Sequence, residues 1–206
     1  RDVDAGKISL DEMEASVDKI LSYKEEYIGG EVSGQGCGEE DRQTEREIRR
    51  KSIVLTQGKL FPAGKNTFFT GCAGFRATLA SSENNRQVTF AEYMAEKFGG
   101  RALLTSKNPD ENEIRAVSEK AAGADSIVIS TYNGHLQPGQ LELVRALAEK
   151  QLPVAVVALR NPYDLAELPE NAVGIAAWDN SLMTLKVLEE MFRGEWQPTG
   201  SLPIRV

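Results

Sequence analysis

Residues 125–160, which read DSIVISTYNGHLQPGQLELVRALAEKQLPVAVVALR, decide the fold of this chain. They begin with a nearly continuous apolar run at 125–131, pass a polar loop, and enter a segment at 138–151 whose apolar residues recur at helical spacing. A second apolar run follows at 153–160. Strands that are apolar on both faces and joined by a helix are typical of parallel sheets with helices on both sides. This stretch therefore predicts one βαβ unit.

The same alternation extends in both directions from this unit. Further strands are predicted at 67–71, 101–106 and 172–178, and further helices at 88–100, 109–124 and 181–194. We therefore expect residues 51–206 to form an α/β domain, with an open, mostly parallel, doubly wound sheet covered by helices on both faces.

The N-terminal part follows a different pattern. Residues 8–27 predict a helix, in which Ser9 is the N-cap and Glu12 completes a capping box. One face of that helix carries an apolar stripe formed by Met13, Val17, Ile20, Leu21 and Tyr27. Such a stripe packs either on this domain or on a partner domain. Residues 29–50 form a Gly-rich and charged linker, whose G-x-G-x-G follows a helix rather than a strand and so lacks the context of a nucleotide fingerprint.

Composition excludes several classes of partner. The 206 residues carry a formal net charge of -7, which argues against nucleic acid because phosphate binding requires clustered Lys and Arg. No apolar run approaches the roughly 18 residues of a membrane span. The two cysteines, Cys37 and Cys72, form no CxxC pair, and the chain has 1 histidine. We therefore expect two free thiols, no metal site and no cofactor.

Ligands of doubly wound sheets bind outside the carboxyl ends of the strands, and three loops qualify here. Their polar and small candidates are Cys72, Gly74, Arg76, Tyr132, Asn133, His135, Arg160, Asn161 and Asp164. The loops contain no G-x-S-x-G elbow and no GxxxxGK[ST] motif. The residues expected to face a substrate are Tyr132, Asn133, His135, Arg160 and Asp164.

Taken singly, these side chains also have plain structural interpretations. His135 is most simply a loop residue at the start of the next helix, and the sequence gives no reason to pair Asp164 or Glu167 with another group. Trp178 is either a sugar-stacking ring or a buried aromatic residue at a strand end. On these grounds alone the chain is an α/β domain without a self-contained active site.

Several segments together carry a family resemblance. They are GKISLDEMEASVDKILSYKEEY (6–27), RRKSIVLTQGKLFP (49–62), ADSIVISTYN (124–133), PVAVVALRNPYDL (153–165) and GEWQPTGSLPIRV (194–206). The last segment has Pro198, Gly200, Leu202 and Pro203 in the register of a closing P-x-G-x-L-P pattern. Over nearly its whole length the sequence resembles the C-terminal part of glycoside hydrolase family three. FFTGCAG (68–74) is a poorer match, because it lacks the usual Gly-Pro pair.

The resemblance implies a catalytic (β/α)₈ barrel upstream of Arg1, which carries the family's aspartate nucleophile. In the β-glucosidase branch the acid–base is a glutamate of the second domain, in the loop that 131–140 matches, and that loop contains no Glu or Asp. The absence of a carboxylate from this loop fits the β-N-acetylglucosaminidase branch, whose acid–base is a His paired with an Asp on a barrel loop. His135 is not in that motif, so the role of the catalytic histidine does not transfer to it.

We therefore expect the non-catalytic C-terminal domain of a bacterial β-N-acetylglucosaminidase, inactive alone, with no catalytic residue of its own. Its partners would be the barrel of the same polypeptide and an N-acetylglucosamine-containing glycan. Residues 1–28 would be a helix from the end of the barrel, prone to self-association through 9–27. The alternatives are a β-glucosidase domain that contributes Asp164 or Glu167 to the cleft, and an independent glycan- or nucleotide-binding module.

Overall fold

The computed structural model describes residues 2–28, 36–74 and 88–205, and the chain forms two compact units, Arg1–Glu40 and Asp41–Val206. The first unit contains helix α1, Leu10–Ile28. The Ser9 hydroxyl accepts a hydrogen bond from the Glu12 amide at 3.1 Å, and the Glu12 carboxylate accepts one from the Ser9 amide at 3.2 Å. The predicted helix and its capping box are thus confirmed. None of the residues of α1 is buried.

The second unit has the alternating elements that the sequence predicts. In chain order these are α2 (Glu39–Ser52, which starts just before this unit), β1 (Val54–Gln57), β2 (Thr67–Cys72), α3 (Phe90–Phe98), β3 (Arg101–Thr105), α4 (Glu111–Lys120), β4 (Ser126–Thr131), α5 (Pro138–Ala148), β5 (Val154–Ala158), β6 (Ala172–Ala176) and α6 (Leu182–Phe192). Short 3₁₀ helices follow β4 and β5, at Gly134–Leu136 and Pro162–Leu165. Within the described residues no helix is long and apolar enough to cross a membrane.

Among the described residues the strands form one sheet in the order β1-β6-β5-β4-β2-β3. Strands β2 to β6 are parallel to their neighbours, and only the edge strand β1 runs antiparallel, against β6. The doubly wound, mostly parallel sheet is therefore confirmed. The chain places β3 on one side of β2 and β4 on the other, so its direction of winding reverses between β2 and β4. This reversal is the topological switch point, outside which ligands of such sheets bind.

Two apolar cores lie on opposite faces of the sheet. Alternate residues of β5 supply both: Ala155 and Val157 pack with α3 and α6, whereas Val154 and Val156 pack with α4 and α5. All four side chains are fully buried. Burial of one valine side chain of this kind stabilises a fold by about 1.5–3 kcal/mol. The continuous apolar runs of the sequence thus correspond to strands covered on both faces.

Polar contacts attach α2 to α6 beside the first core. The Arg50 guanidinium lies 2.7 Å from the Glu190 carboxylate, which also pairs with Arg46. Arg49 donates to the Asp179 carboxylate at 2.5 Å and to the Thr184 hydroxyl at 2.6 Å. The basic last turn of α2 is therefore fixed to the first and last turns of α6 by charge-assisted hydrogen bonds.

Candidate functional site

The loops that follow β4 and β5 lie at the carboxyl ends of neighbouring parallel strands. Gln140, at the start of α5, fixes the first loop to the end of its strand: its side-chain oxygen accepts from the Tyr132 amide at 2.9 Å. Its side-chain nitrogen donates to the carbonyls of Lys107 at 2.8 Å and Tyr132 at 3.2 Å. Because Gln140 is buried, these bonds hold the backbone of the loop in one position.

A sharp change of direction at Asn133 aims the rest of this loop. Its backbone is left-handed, with φ 55° and ψ 42°, a conformation that Asn adopts more readily than most residues. The Asn133 side-chain oxygen accepts a hydrogen bond from the Asn161 amide group at 2.6 Å. This bond joins the loop after β4 to the loop after β5.

A second connection between the two loops is an imidazole–carboxylate pair. The backbone amide and the ring Nδ1 of His135 both lie 2.8 Å from Oδ1 of Asp164. His135 belongs to the 3₁₀ helix after β4, and Asp164 to the one after β5. The local geometry of the two short helices therefore places two residues 29 positions apart in direct contact.

Asp164 is enclosed by the protein. The residue is 1% exposed, and its second carboxylate oxygen, Oδ2, is buried without a hydrogen-bond partner among the described residues. A Cβ added to Gly134 would stand 3.2 Å from Oδ2, so the glycine allows the loop to approach the carboxylate closely. Burial raises the pKa of the Cys72 thiol to about 11, and the charge of Asp164 acts in the same direction.

The protonation pattern of His135 follows from its partner. Because an ionised carboxylate only accepts hydrogen bonds, we assign the hydrogen between the two side chains to Nδ1 of the imidazole. Nothing among the described residues bonds to the other ring nitrogen, Nε2, and the His135 side chain is 27% exposed. In the neutral ring Nε2 is then a hydrogen-bond acceptor. This ring packs against the ring of Tyr163, with 5.6 Å between the centroids, and Tyr163 is half-exposed.

Arg160, in the loop after β5, makes a third contact with the loop after β4. One of its guanidinium nitrogens donates to the Tyr132 hydroxyl at 2.8 Å, and the guanidinium carbon lies 5.5 Å from the centre of the Tyr132 ring. In the part of the chain that the structure describes, no carboxylate pairs with Arg160. A guanidinium held in this way retains donors for an external acceptor.

The structure places all five of the expected substrate-facing residues in these two neighbouring loops, which three separate hydrogen-bonded pairs connect: Arg160–Tyr132, Asn161–Asn133 and His135–Asp164. Sequence reasoning recognised no constellation among them, because the His135–Asp164 contact depends on the folded loops. It also missed Gln140 and Tyr163. That these residues face a substrate remains a prediction.

Other residues singled out in the sequence lie elsewhere. Glu167 does not join these pairs: its carboxylate is 82% exposed and faces Arg145 at 3.6 Å. Trp178, after β6, has φ 66° and donates its indole hydrogen to the Ser52 carbonyl at 2.7 Å.

Cys72 is buried and Cys37 exposed, and both are free thiols. Arg76 lies outside the described residues. Within the described residues no group of three His, Cys, Asp or Glu side chains is placed to hold a metal ion.

Comparison with solved structures relates this fold to glycoside hydrolases. A family 3 β-N-acetylglucosaminidase from Paenibacillus sp. matches 98% of the chain with a TM-score of 0.80 and 23% identity, over 41% of its own length. A fungal multi-domain family 3 β-N-acetylglucosaminidase matches 100% of the chain with a TM-score of 0.73 and 17% identity, over 24% of its length. A β-glucosidase from Listeria innocua matches 95% with a TM-score of 0.67 and 16% identity, over 32% of its length.

These matches confirm, at the level of the fold, the resemblance carried by the sequence motifs. The chain has the fold of one part of glycoside hydrolase family three structures. It spans about two fifths or less of the length of each of these three structures. No protein-family model and no curated protein sequence matches the chain.

Proposed function

We propose that this chain is the non-catalytic C-terminal α/β domain of a bacterial family three β-N-acetylglucosaminidase. In this proposal the nucleophile and the acid–base residue belong to a (β/α)₈ barrel of the same polypeptide, outside the present sequence. The enzyme would release terminal N-acetylglucosamine, and this domain would pack on the barrel and form part of the rim of its cleft.

The observation that carries the proposal is the match of nearly the whole chain, with a TM-score of 0.80, to part of a β-N-acetylglucosaminidase. The acid-free loop at 131–140 gives independent support, because a β-glucosidase-type domain would have its catalytic glutamate there. The parallel strands also direct the carboxyl-end loops, with the His135–Asp164 pair, toward one edge of the sheet, where a cleft would form.

The alternative, a β-glucosidase domain that contributes a cleft carboxylate, has the Listeria match in its favour. Its two candidate carboxylates fit less well. Asp164 is buried and already accepts two hydrogen bonds from His135, and Glu167 faces Arg145 at the protein surface. Asp164 is therefore not exposed to protonate a leaving group, and Glu167 is exposed but lies beside a cation, which favours its ionised form.

Hydrolysis assays separate these functions. The chain alone and a polypeptide that includes the upstream barrel are each given an aryl N-acetyl-β-glucosaminide and an aryl β-glucoside. We expect no turnover by the chain alone, beyond a heat-killed control, and preferential hydrolysis of the glucosaminide by the longer polypeptide. Turnover by the chain alone would overturn the proposal, and preference for the glucoside would favour the alternative.

A further inference from the structure

The His135–Asp164 pair has the geometry of a prepared hydrogen-bond acceptor. We infer that His135 contacts the glycan, with Nε2 accepting a hydrogen bond from a sugar hydroxyl, and that Asp164 is the positioning residue that fixes the imidazole for this contact. This inference rests on the proposed function and adds a residue-level role to it, since no catalytic step is assigned to either residue.

The direction of the hydrogen bond follows from the buried carboxylate. Oδ1 of Asp164 accepts from both the backbone amide and Nδ1 of His135, which leaves the lone pair of the neutral ring on Nε2. Sugar hydroxyls are abundant hydrogen-bond donors. An imidazole with its hydrogen on Nε2 would instead present a donor, so the carboxylate selects which kind of group can be bound.

The surroundings make this acceptor rigid. The buried Asp164 cannot change position without opening the core, and the Asn133–Asn161 bond fixes the two loops relative to each other. The Oδ2 atom remains buried without a partner in the described part of the chain, and Asn133 has a left-handed backbone. A buried polar atom without a partner calls for an explanation, and unusual backbone angles are found at ligand-binding loops more often than elsewhere.

The ring of Tyr163 completes the surface that a sugar would meet. It is half-exposed and steeply inclined to the imidazole, with 5.6 Å between the ring centroids and 66° between the ring planes. An aromatic face combines apolar area with a polar tip, which suits a sugar ring that has both C–H and O–H groups. Both residues follow the carboxyl ends of β4 and β5, adjacent to the switch point of the sheet.

The protonation pattern can be measured on this chain directly, because it contains a single histidine. Long-range ¹H–¹⁵N spectra of the imidazole distinguish the Nδ1–H from the Nε2–H form. We expect the neutral ring of the wild type to have its hydrogen on Nδ1. In Asp164→Ala no side-chain acceptor faces Nδ1, so we expect the ring to lose its preference for the Nδ1–H form. A wild-type ring with its hydrogen on Nε2 would overturn the inference.

Two substitutions separate the inward and outward contacts of His135. His135→Asn keeps a donor near the position of Nδ1 and removes Nε2, whereas His135→Gln extends an amide to the region of Nε2. Kinetics are measured on the barrel-containing polypeptide with the aryl N-acetyl-β-glucosaminide. We expect His135→Asn and Asp164→Ala to raise KM about fivefold, as for the loss of one neutral hydrogen bond, with kcat within about twofold. His135→Gln should recover much of the loss.

The exposed Glu142→Gln on α5 is the matched control and should leave both constants unchanged. Melting temperatures of all variants establish that the fold is intact. An active polypeptide in which His135→Asn keeps the wild-type KM would overturn this inference and leave the proposed function standing. A barrel-containing polypeptide without glycosidase activity would overturn the proposed function, and this inference with it.

Discussion

Asp164 shows how one buried carboxylate organises two loops. A carboxylate removed from water is unfavourable unless hydrogen-bond donors compensate for its lost hydration. Here the compensation comes from two groups of one residue, the backbone amide and the ring of His135. The loop after β4 is therefore held in place by the charge on the loop after β5.

This dependence predicts an asymmetry between two substitutions. His135→Ala removes one donor and leaves the buried charge, so we expect the free energy of unfolding to fall by about 1–3 kcal/mol. Adding Asp164→Asn to that variant should recover part of the loss, because an amide is less costly to bury than a carboxylate. Urea titrations of the two variants and the wild type measure both values. A double variant less stable than His135→Ala would contradict this account.

The two cysteines should differ strongly in reactivity. The thiolate is the reactive form, and burial raises the pKa of Cys72 to about 11, while the side chain is only 5% exposed. Cys37 is exposed. We expect a thiol reagent such as iodoacetamide to modify Cys37 in the folded protein at pH 8 and to modify Cys72 only after unfolding, with mass spectrometry to locate the label. Equal labelling rates would show that Cys72 is accessible.

The residues of the site could be predicted individually, but the contact between them could not. Their positions after apolar runs indicated His135 and Asp164, since strand ends are visible in the sequence. The contact requires the left-handed turn at Asn133 and two 3₁₀ helices, which no periodicity reveals. An Asn before Gly is the one local signal for that turn.

At the scale of the elements, α6 depends on ionised carboxylates at both ends. Burial alone would raise the pKa of Asp179, but hydrogen bonds from Ser181, Arg49 and Thr184 outweigh it and lower that pKa. Burial alone would likewise raise the pKa of Glu189, but hydrogen bonds from Tyr93 and Arg193 outweigh it and lower that pKa. The carboxylates connect α6 to α2 and to α3.

These lowered pKa values predict acid sensitivity. A group whose pKa is lower in the folded state stabilises the fold above its unfolded pKa, about 4 for Asp and Glu, and loses that effect as the pH falls through the folded pKa. We therefore expect the urea midpoint to be steady near neutrality and to fall below about pH 4. Asp179→Asn combined with Glu189→Gln should reduce this fall. An unchanged pH profile in the double variant would assign the acid sensitivity to other groups.

The elements themselves were predictable because local signals agree with burial. Thr89 caps α3 by accepting from the Glu92 amide, and Gly99 ends it in a left-handed conformation with φ 69°. Asp110 caps α4 in the same way as Thr89 caps α3. The antiparallel direction of β1 was less predictable, since a short edge strand carries no pattern that distinguishes its two directions.

At the scale of the whole molecule, the continuous apolar strands predicted a parallel sheet, but not the order of its strands. The placement of β2 between β4 and β3 creates the switch point. This order depends on long-range packing of α3 against one face and of α4 and α5 against the other. A sequence shows the pairing of neighbours in a βαβ unit more readily than a crossover that passes over a strand.

Helix α1 supplies the prediction that concerns the assembly. Its apolar stripe is solvent-exposed, from 44% at Met13 to 71% at Tyr27. Exposed apolar area of this kind favours association. We expect the mass from sedimentation equilibrium to rise with concentration above the 22.6 kDa of one chain. Val17→Glu with Ile20→Glu should prevent this, because charges on the stripe cannot be buried without a partner.

The control for this experiment places the same two charges on the opposite face of α1, as Ala15→Glu with Ser22→Glu, and should leave association unchanged. A wild-type chain of 22.6 kDa at every concentration would contradict the prediction. The same measurement bears on the proposed function. If α1 is the last helix of a barrel, the barrel-containing polypeptide buries the stripe, and there Val17→Glu with Ile20→Glu should lower the melting temperature instead of changing the mass. An effect on mass in both proteins would instead assign the stripe to contacts between copies of the chain.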